Sequence, residues 1–107
     1  MKVAVPAEGP ETSALVSSVL GRCPSFVLAD TETGETRGVP NPGADAPGGA
    51  GIAATRFLVD EGIEVVLTHE VGPKAKAVLD GADVEIRAPE GRTVADALAA
   101  VRKATPS

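Results

Sequence analysis

The only cysteine and the only histidine of this chain each stand beside a charged residue, and they are its first candidates for metal chemistry. Cys23 follows Arg22, a cation that can lower a thiol pKa and favour a thiolate ligand. His69 precedes Glu70 just after an apolar run, where an imidazole can bind metal or carry a proton. The alternatives are a small buried thiol and an exposed loop histidine. One Cys and one His cannot complete a cage, so a preformed metallocluster with one or two anchors is the metal site that the composition allows.

A glycine-rich stretch, residues 47–51, directly precedes a predicted helix. Helix N-termini present free N–H groups and partial positive charge, so the amides of Gly48, Gly49 and Gly51 could cradle an anion. No strand feeds into the stretch and no Lys-Ser/Thr follows it. It is therefore neither a dinucleotide fingerprint nor a P-loop. The alternative is a tight loop that lets a helix and the sheet approach closely.

No nucleophile and base stand in a readable catalytic arrangement. The serines have only His69 as an imidazole partner, and no nucleophile-elbow sequence surrounds them. Lys74 and Lys76 open a predicted helix beside the His69 loop and could attract an anion, or could form a solvated helix face. The sequence predicts a protein that is not an enzyme.

The elements that must position these residues follow the order strand, undecided segment, strand, strand, helix, strand, helix, strand, helix. The predicted strands cover residues 2–6, 25–30, 35–40, 63–68 and 84–87, and the helices begin at about Ala50, at Pro73, and after a capping box formed by Thr93 and Asp96. Residues 13–20 fit a short helix or a loop. The order predicts a mixed five-stranded sheet with helices on its faces and a polar edge strand at 35–40. Ligands would bind beyond the carboxyl ends of its parallel strands, at loops 7–9, 68–72 and 88–92.

Composition narrows the function further. The 107 residues favour a single domain, 1–107, and 43 % of them are hydrophobic. A net charge of -5 and an aromatic content of 2 % argue against nucleic-acid binding. The apolar runs are too short for a membrane span or a signal peptide. We therefore expect a soluble cytoplasmic domain that binds neither nucleic acid nor membrane.

Several ordered pieces of the chain resemble one known family. They include MKVAVP at 1–6, GRCPSF at 21–26, GGAGIAA at 48–54 and VGPKA at 71–75. Their order and spacing are similar to those of the dinitrogenase iron-molybdenum cofactor biosynthesis family, the NifX/NafY-like proteins, to about Arg87. The resemblance implies a ribonuclease H-like three-layer α/β/α fold with a mixed five-stranded sheet. It does not imply nuclease activity, because the first strand lacks the acidic metal ligands of nucleases with that fold.

The resemblance also implies a function, for which the candidate residues above supply a site. The chain would be a small, non-catalytic binding or carrier protein for an iron–sulfur cluster or an iron–molybdenum cofactor precursor. Members often carry Gly or another small residue at position 69, so His69 departs from the pattern, and we hypothesise that Cys23 as first ligand and His69 as second anchor the cluster together from adjacent loops. Arg22 and the amides at 48–51 would hydrogen-bond to cluster sulfides or an organic carboxylate. Val19 occupies a position where members often carry a candidate His ligand.

Two other function classes stay open. One is a metal-free module for a small anion or a nucleotide, which would use the glycine-rich loop. The other is a protein-interaction domain, for example a homodimer formed through the polar edge strand at 35–39. The partners implied by the carrier function are cluster donor or acceptor proteins, and the chain would be a monomer or a homodimer.

Overall fold

The computed structural model describes residues 1–104, which form a mixed five-stranded sheet covered by helices on both faces. The strands are β1 (Lys2–Ala7), β2 (Ser25–Asp30), β3 (Thr36–Pro40), β4 (Val65–Leu67) and β5 (Glu85–Arg87), and the helices are α1 (Ala50–Asp60), α2 (Pro73–Gly81) and α3 (Val94–Ala104). Their order across the sheet is β3-β2-β1-β4-β5. The pairs β1–β4 and β4–β5 are parallel, whereas β2 runs antiparallel to β1 and β3. The predicted mixed sheet is confirmed.

Side chains of the central strands alternate between two hydrophobic cores, because successive residues of a strand point to opposite faces. One core lies under α1 and α2 and includes Ala4, Phe26, Leu28 and Val66. The other lies under α3 and includes Val3, Val5, Val27, Val65 and Leu67. The continuous apolar run of β2 therefore has the predicted cause, a strand covered on both faces.

Helices α1 and α2 pack against each other over the first core. Leu58 of α1 and Leu79 of α2 are both fully buried, and the ring of Phe57 stacks on Phe26 with centroids 6.2 Å apart. A methyl group built on Gly51 would lie 3.5 Å from the Cβ of Ala75, ordinary van der Waals contact. The two helices thus begin side by side at the carboxyl edge of the parallel strands.

Most of the predicted turns and caps are confirmed. Gly34, between β2 and β3, and Gly62, after α1, have positive φ angles of 79° and 75°. The capping box of α3 forms, since the Asp96 N–H donates to Thr93 Oγ1 at 3.1 Å and the Thr93 N–H donates to Asp96 Oδ2 at 3.3 Å. Strand β3 is exposed at one edge of the sheet, as its polar sequence predicts.

The undecided segment at 13–20 is a loop with extended backbone rather than a helix. Leu15 forms an isolated β-bridge with Thr93, and Val16 forms one with Ala7. The Ser17 N–H donates to the Pro6 carbonyl oxygen at 2.8 Å. Because these long-range bonds satisfy its backbone groups, the segment has no need of helical bonds.

Strand and helix limits differ slightly from the prediction. The fourth predicted strand, 63–68, contracts to Val65–Leu67, because β5, its partner on one side, is only three residues long. Residue Thr68 still donates its N–H to the Arg87 carbonyl oxygen at 2.9 Å. Helix α2 ends at Gly81 as predicted, but the left-handed residue that follows is Asp83, with φ of 59°.

Candidate functional site

A groove of about 920 Å³ opens at the carboxyl edge of the parallel strands, where α/β sheets bind ligands. Three stretches of chain line it: a turn at 18–22, the start of α1 at 49–52, and the segment at 70–75 that leads into α2. We call it the helix-end groove. Loop 68–72, which follows β4, contributes residues 70–72 as predicted, whereas the other two predicted loops, 7–9 and 88–92, do not line it.

Both helices that border the groove begin without a side-chain cap from any described residue. Gly49 is the N-cap of α1, with φ of 66°, and Gly72 is the N-cap of α2. Neither first turn contains an acidic residue. Uncapped helix N-termini present free N–H groups and the positive end of the helix dipole. The positive ends of two helices therefore border the same groove.

Among the described residues, the charged side chains that line the groove are two cations and one anion. Arg22 and Lys74 line it, and so does Glu70. The Arg22 guanidinium donates to the carbonyl oxygens of Ala44 and Ala46, at 3.2 and 2.6 Å. Arg22 therefore links the turn at 18–22 to the loop before α1.

The predicted anion-binding glycines take different positions. Gly49 and Gly51 line the groove, whereas Gly48 does not, and no described atom lies within 4 Å of the position that its Cβ would take. A close backbone approach does occur at this stretch, between Gly51 and Gly21 of the turn at 18–22. A Cβ on Gly21 would lie 3.0 Å from the Gly51 nitrogen. Gly21 therefore lets the turn at 18–22 approach the start of α1.

Asn41, which the sequence analysis did not single out as a site residue, organises the turn beside the groove. It is 5 % exposed, and its Nδ2 donates to the carbonyl oxygens of Gly21 at 3.0 Å and Cys23 at 2.9 Å. Its Oδ1 accepts from the Gly43 N–H at 2.8 Å. The Asn-Pro-Gly sequence carries a signal for this role, because Asn favours such a bond to the amide two residues on.

Cys23 lies inside the fold, packed in the core under α1 and α2. Its side chain is 0 % exposed, and the Sγ donates to the Leu20 carbonyl oxygen at 3.4 Å. Burial raises the pKa of the thiol from 9.0 to about 11. The alternative of a small buried thiol describes this geometry, and ligation by Cys23 stays a prediction that requires the turn at 18–22 to open.

His69 lies on the surface, outside the residues that line the groove. The structure therefore does not bring the two predicted ligands to one open surface, since Cys23 is enclosed and His69 is exposed. Among residues 1–104, no group of three or more His, Cys, Asp or Glu side chains could hold a metal ion. The donor set does not fit a cluster held by several protein ligands. It fits an anionic, preassembled group that needs hydrogen bonds and positive charge.

Thr68 carries a buried hydroxyl at the end of β4. The residue is 1 % exposed, and its Oγ1 has no hydrogen-bond partner within the described part of the chain. Thr68 follows Val66 by two positions, a spacing that turns both side chains toward the face covered by α1 and α2. An unpaired buried hydroxyl is unfavourable by about 1–3 kcal/mol.

A second pocket, of about 520 Å³, lies at the opposite edge of the sheet. Its charges are mixed: Lys2 and Arg37 face Asp30, Glu35 and Glu61. Arg37 is already paired with Glu61 at 3.1 Å. Because this pocket borders the amino end of β1 and its three carboxylates outnumber its two cations, it is the weaker candidate for an anion site.

Known proteins that resemble this chain share its fold. The apo form of the orange protein from Desulfovibrio gigas is 36 % identical, with a TM-score of 0.88 over 96 % of this chain and 88 % of that one. A putative NifB protein from Thermotoga is 34 % identical, with a TM-score of 0.81 over 95 % of this chain and 87 % of that one. No functionally curated protein matches the chain.

The sequence profile of one family spans the described structure. The profile described as dinitrogenase iron-molybdenum cofactor matches residues 1–104. This confirms the resemblance and extends it past Arg87, through α3. None of the described helices is long and apolar enough to cross a membrane. The chain belongs to the dinitrogenase iron-molybdenum cofactor family.

Proposed function

We propose that this protein is a non-catalytic carrier that holds a sulfide-rich metallocluster, an iron–sulfur cluster or an iron–molybdenum cofactor precursor, in the helix-end groove. The cluster is cargo rather than a resident cofactor. The observation that carries the proposal is the convergence of two uncapped helix N-termini and two cationic side chains, Arg22 and Lys74, on one groove. Such clusters are anions, and helix N-termini bind anions.

The lining of the groove favours a large and weakly hydrated anion. Its exposed surface is mostly apolar, with contributions from Ile52, Val71 and Pro73. Val19, at the rim, is 52 % exposed although it is a large apolar residue. A strongly hydrated anion such as phosphate would lose hydration free energy against this apolar surface, and hydrogen bonds from the groove would not replace it. The sulfide ligands of a cluster lose less hydration free energy, because they are soft and poorly hydrated.

The family and the relatives support this cargo. The family is named for the iron–molybdenum cofactor of dinitrogenase, and one relative is described as a putative NifB protein. We infer that the whole chain, 1–107, acts as one cytoplasmic domain with a ribonuclease H-like arrangement. Cluster donor and acceptor proteins would be its partners. The accessible groove suits transfer, because cargo held by hydrogen bonds and charge is released without breaking a metal–protein bond.

Lysines at neighbouring positions of α2 provide a matched test. Lys74 lines the groove, whereas Lys76 does not and pairs with Asp80 at 2.9 Å. We expect wild type to bind tetrathiomolybdate, a small sulfide-rich molybdenum anion, under anaerobic conditions. Lys74→Glu should weaken binding at least tenfold. Lys76→Glu changes the net charge by the same amount and should change the affinity less than twofold. Isothermal calorimetry and visible absorption would measure both.

The same titration distinguishes the remaining functions. Loss of binding in Cys23→Ser, with Lys74→Glu unaffected, would assign the metal to the thiolate predicted from the sequence and reject the groove. Equal affinity for phosphate or ATP would favour a metal-free anion or nucleotide module. Absence of both tetrathiomolybdate binding and iron retention after anaerobic reconstitution with Fe²⁺ and sulfide would contradict the carrier function.

A further inference from the structure

Asn41 contacts the wall of the groove from behind, and nothing in the proposed function uses it. The residue lies in the segment between β3 and α1, yet its side chain reaches the turn at 18–22 and its continuation to Cys23. It is buried and uncharged. Any effect of Asn41 on cargo must therefore pass through the backbone groups that it holds.

The backbone groups that could affect an anionic cargo are carbonyl oxygens, because they carry partial negative charge. Gly21 lines the groove, and its carbonyl oxygen is 3.0 Å from the buried Asn41 amide. Leu20 also lines the groove, and its carbonyl oxygen accepts from Cys23 Sγ at 3.4 Å, inside the core. These two oxygens are directed into the fold and away from an occupant of the groove.

The Asn41 side chain is chemically matched to this task. Its Nδ2 supplies two N–H donors, and the two shortest contacts are with the Gly21 and Cys23 oxygens. Its Oδ1 is occupied by the Gly43 N–H at 2.8 Å, which fixes the orientation of the amide. An aspartate of the same shape would keep the bond to Gly43 but would face two carbonyl oxygens with negative charge and no donor.

We propose that Asn41 is a positioning residue that makes the helix-end groove selective for anions, because it holds the Gly21 carbonyl oxygen of the groove wall inside the fold. The proposal rests on the proposed function of the groove. It adds that anion affinity depends on the direction of the Gly21 peptide as well as on Lys74 and the two helix ends. Released from Asn41, that peptide can turn its oxygen toward the cargo and repel it.

The test compares Asn41→Asp and Asn41→Ala with Val84→Ala. Val84 is buried directly before β5, at the opposite end of the sheet from the groove, so its truncation controls for lost stability. Tetrathiomolybdate is the probe. We expect both Asn41 variants to bind at least tenfold more weakly than wild type and Val84→Ala to bind within twofold. The carbonyl ¹³C resonance of Gly21 should shift upfield in the Asn41 variants only, reporting the lost hydrogen bond.

Each outcome bears on one proposal in particular. If wild type binds and both Asn41 variants bind equally well, the positioning role is overturned and the carrier function stands. If wild type does not bind, the carrier function fails and the positioning role fails with it. Should the Asn41 variants not fold, hydrogen exchange of the Asn41 side-chain amide in wild type loaded with tetrathiomolybdate tests the positioning role instead. Protection that persists on loading supports the proposal, and protection that is lost overturns it.

Discussion

The side-chain amide of Asn41 lies 2.9 Å from the carbonyl oxygen of Cys23 and 3.5 Å from its sulfur. One buried side chain thus holds both the backbone and the thiol of the residue that the sequence marks as a metal ligand. The two residues are 18 positions apart, and both are buried. This contact joins the segment before α1 to the turn at 18–22, and the two stretches border one groove as a result.

Asn41→Ala should lower the free energy of unfolding by about 3 kcal/mol, because it leaves buried carbonyl oxygens and the Gly43 N–H without partners. Urea denaturation followed by circular dichroism measures the change. A loss below about 0.5 kcal/mol, the usual range for a surface substitution, would contradict the contact.

Native Cys23 should react slowly with iodoacetamide at neutral pH. The thiolate is the reactive form, and burial raises the pKa of this thiol to about 11, so the thiol stays protonated. In denaturant its ordinary pKa and exposure return, and we expect labelling to accelerate at least a hundredfold. Mass spectrometry of timed aliquots follows both reactions. Rapid labelling of the native protein would mean that the turn at 18–22 opens readily, which would favour Cys23 as a ligand.

Gly43→Ala should destabilise the protein by about 1–3 kcal/mol, the range for a forced fit in a packed site. A Cβ at Gly43 would lie 2.4 Å from the Ala50 carbonyl oxygen, and backbone must shift to admit it. Gly48→Ala is the matched control, because no atom of the described residues lies within 4 Å of its Cβ position. Thermal unfolding of both variants should show a clear drop in Tm for Gly43→Ala alone. Similar values for the two would refute the close approach.

Thr68→Val should raise the unfolding free energy by about 1 kcal/mol, since the near-isosteric change removes an unpaired buried hydroxyl. Thr55→Val offers a contrast, because Thr55 Oγ1 donates to the Gly51 carbonyl oxygen at 2.8 Å. That variant should gain nothing or lose stability. Chemical denaturation compares the pair, and a destabilised Thr68→Val would show that the hydroxyl has a partner in solution.

Acid should remove a stabilising contribution from Asp96. Hydrogen bonds from the backbone N–H groups of Thr93 and Arg92 hold the pKa of Asp96 below its ordinary value of 3.8. The ionised form is thus favoured by folding. Its contribution is complete above the unfolded pKa and is lost as the pH falls through the lowered folded value. The Tm difference between wild type and Asp96→Ala at pH 7 should shrink at about pH 2.5. Asp60→Ala, on the exposed face of α1, is the control.

Local patterns determined much of the fold. Alternation of side chains explains why the continuous apolar run of β2 is a strand covered on both faces. Pro73, Gly62 and the Thr93–Asp96 capping box marked helix limits, because these residues act on backbone groups within a few positions of themselves. The same reasoning found the glycines at the start of α1, since a free helix N-terminus is a local property.

Tertiary structure decided what those local signals could not. Whether Cys23 is a ligand or a core residue depends on Leu58, Leu79 and other residues that are distant in sequence and pack in the same core. The segment at 13–20 is extended because its partners belong to β1 and to the start of α3. The groove itself joins three stretches between positions 18 and 75. The sequence alone determined which groups can bind an anion, whereas long-range packing determined which of them face the same space.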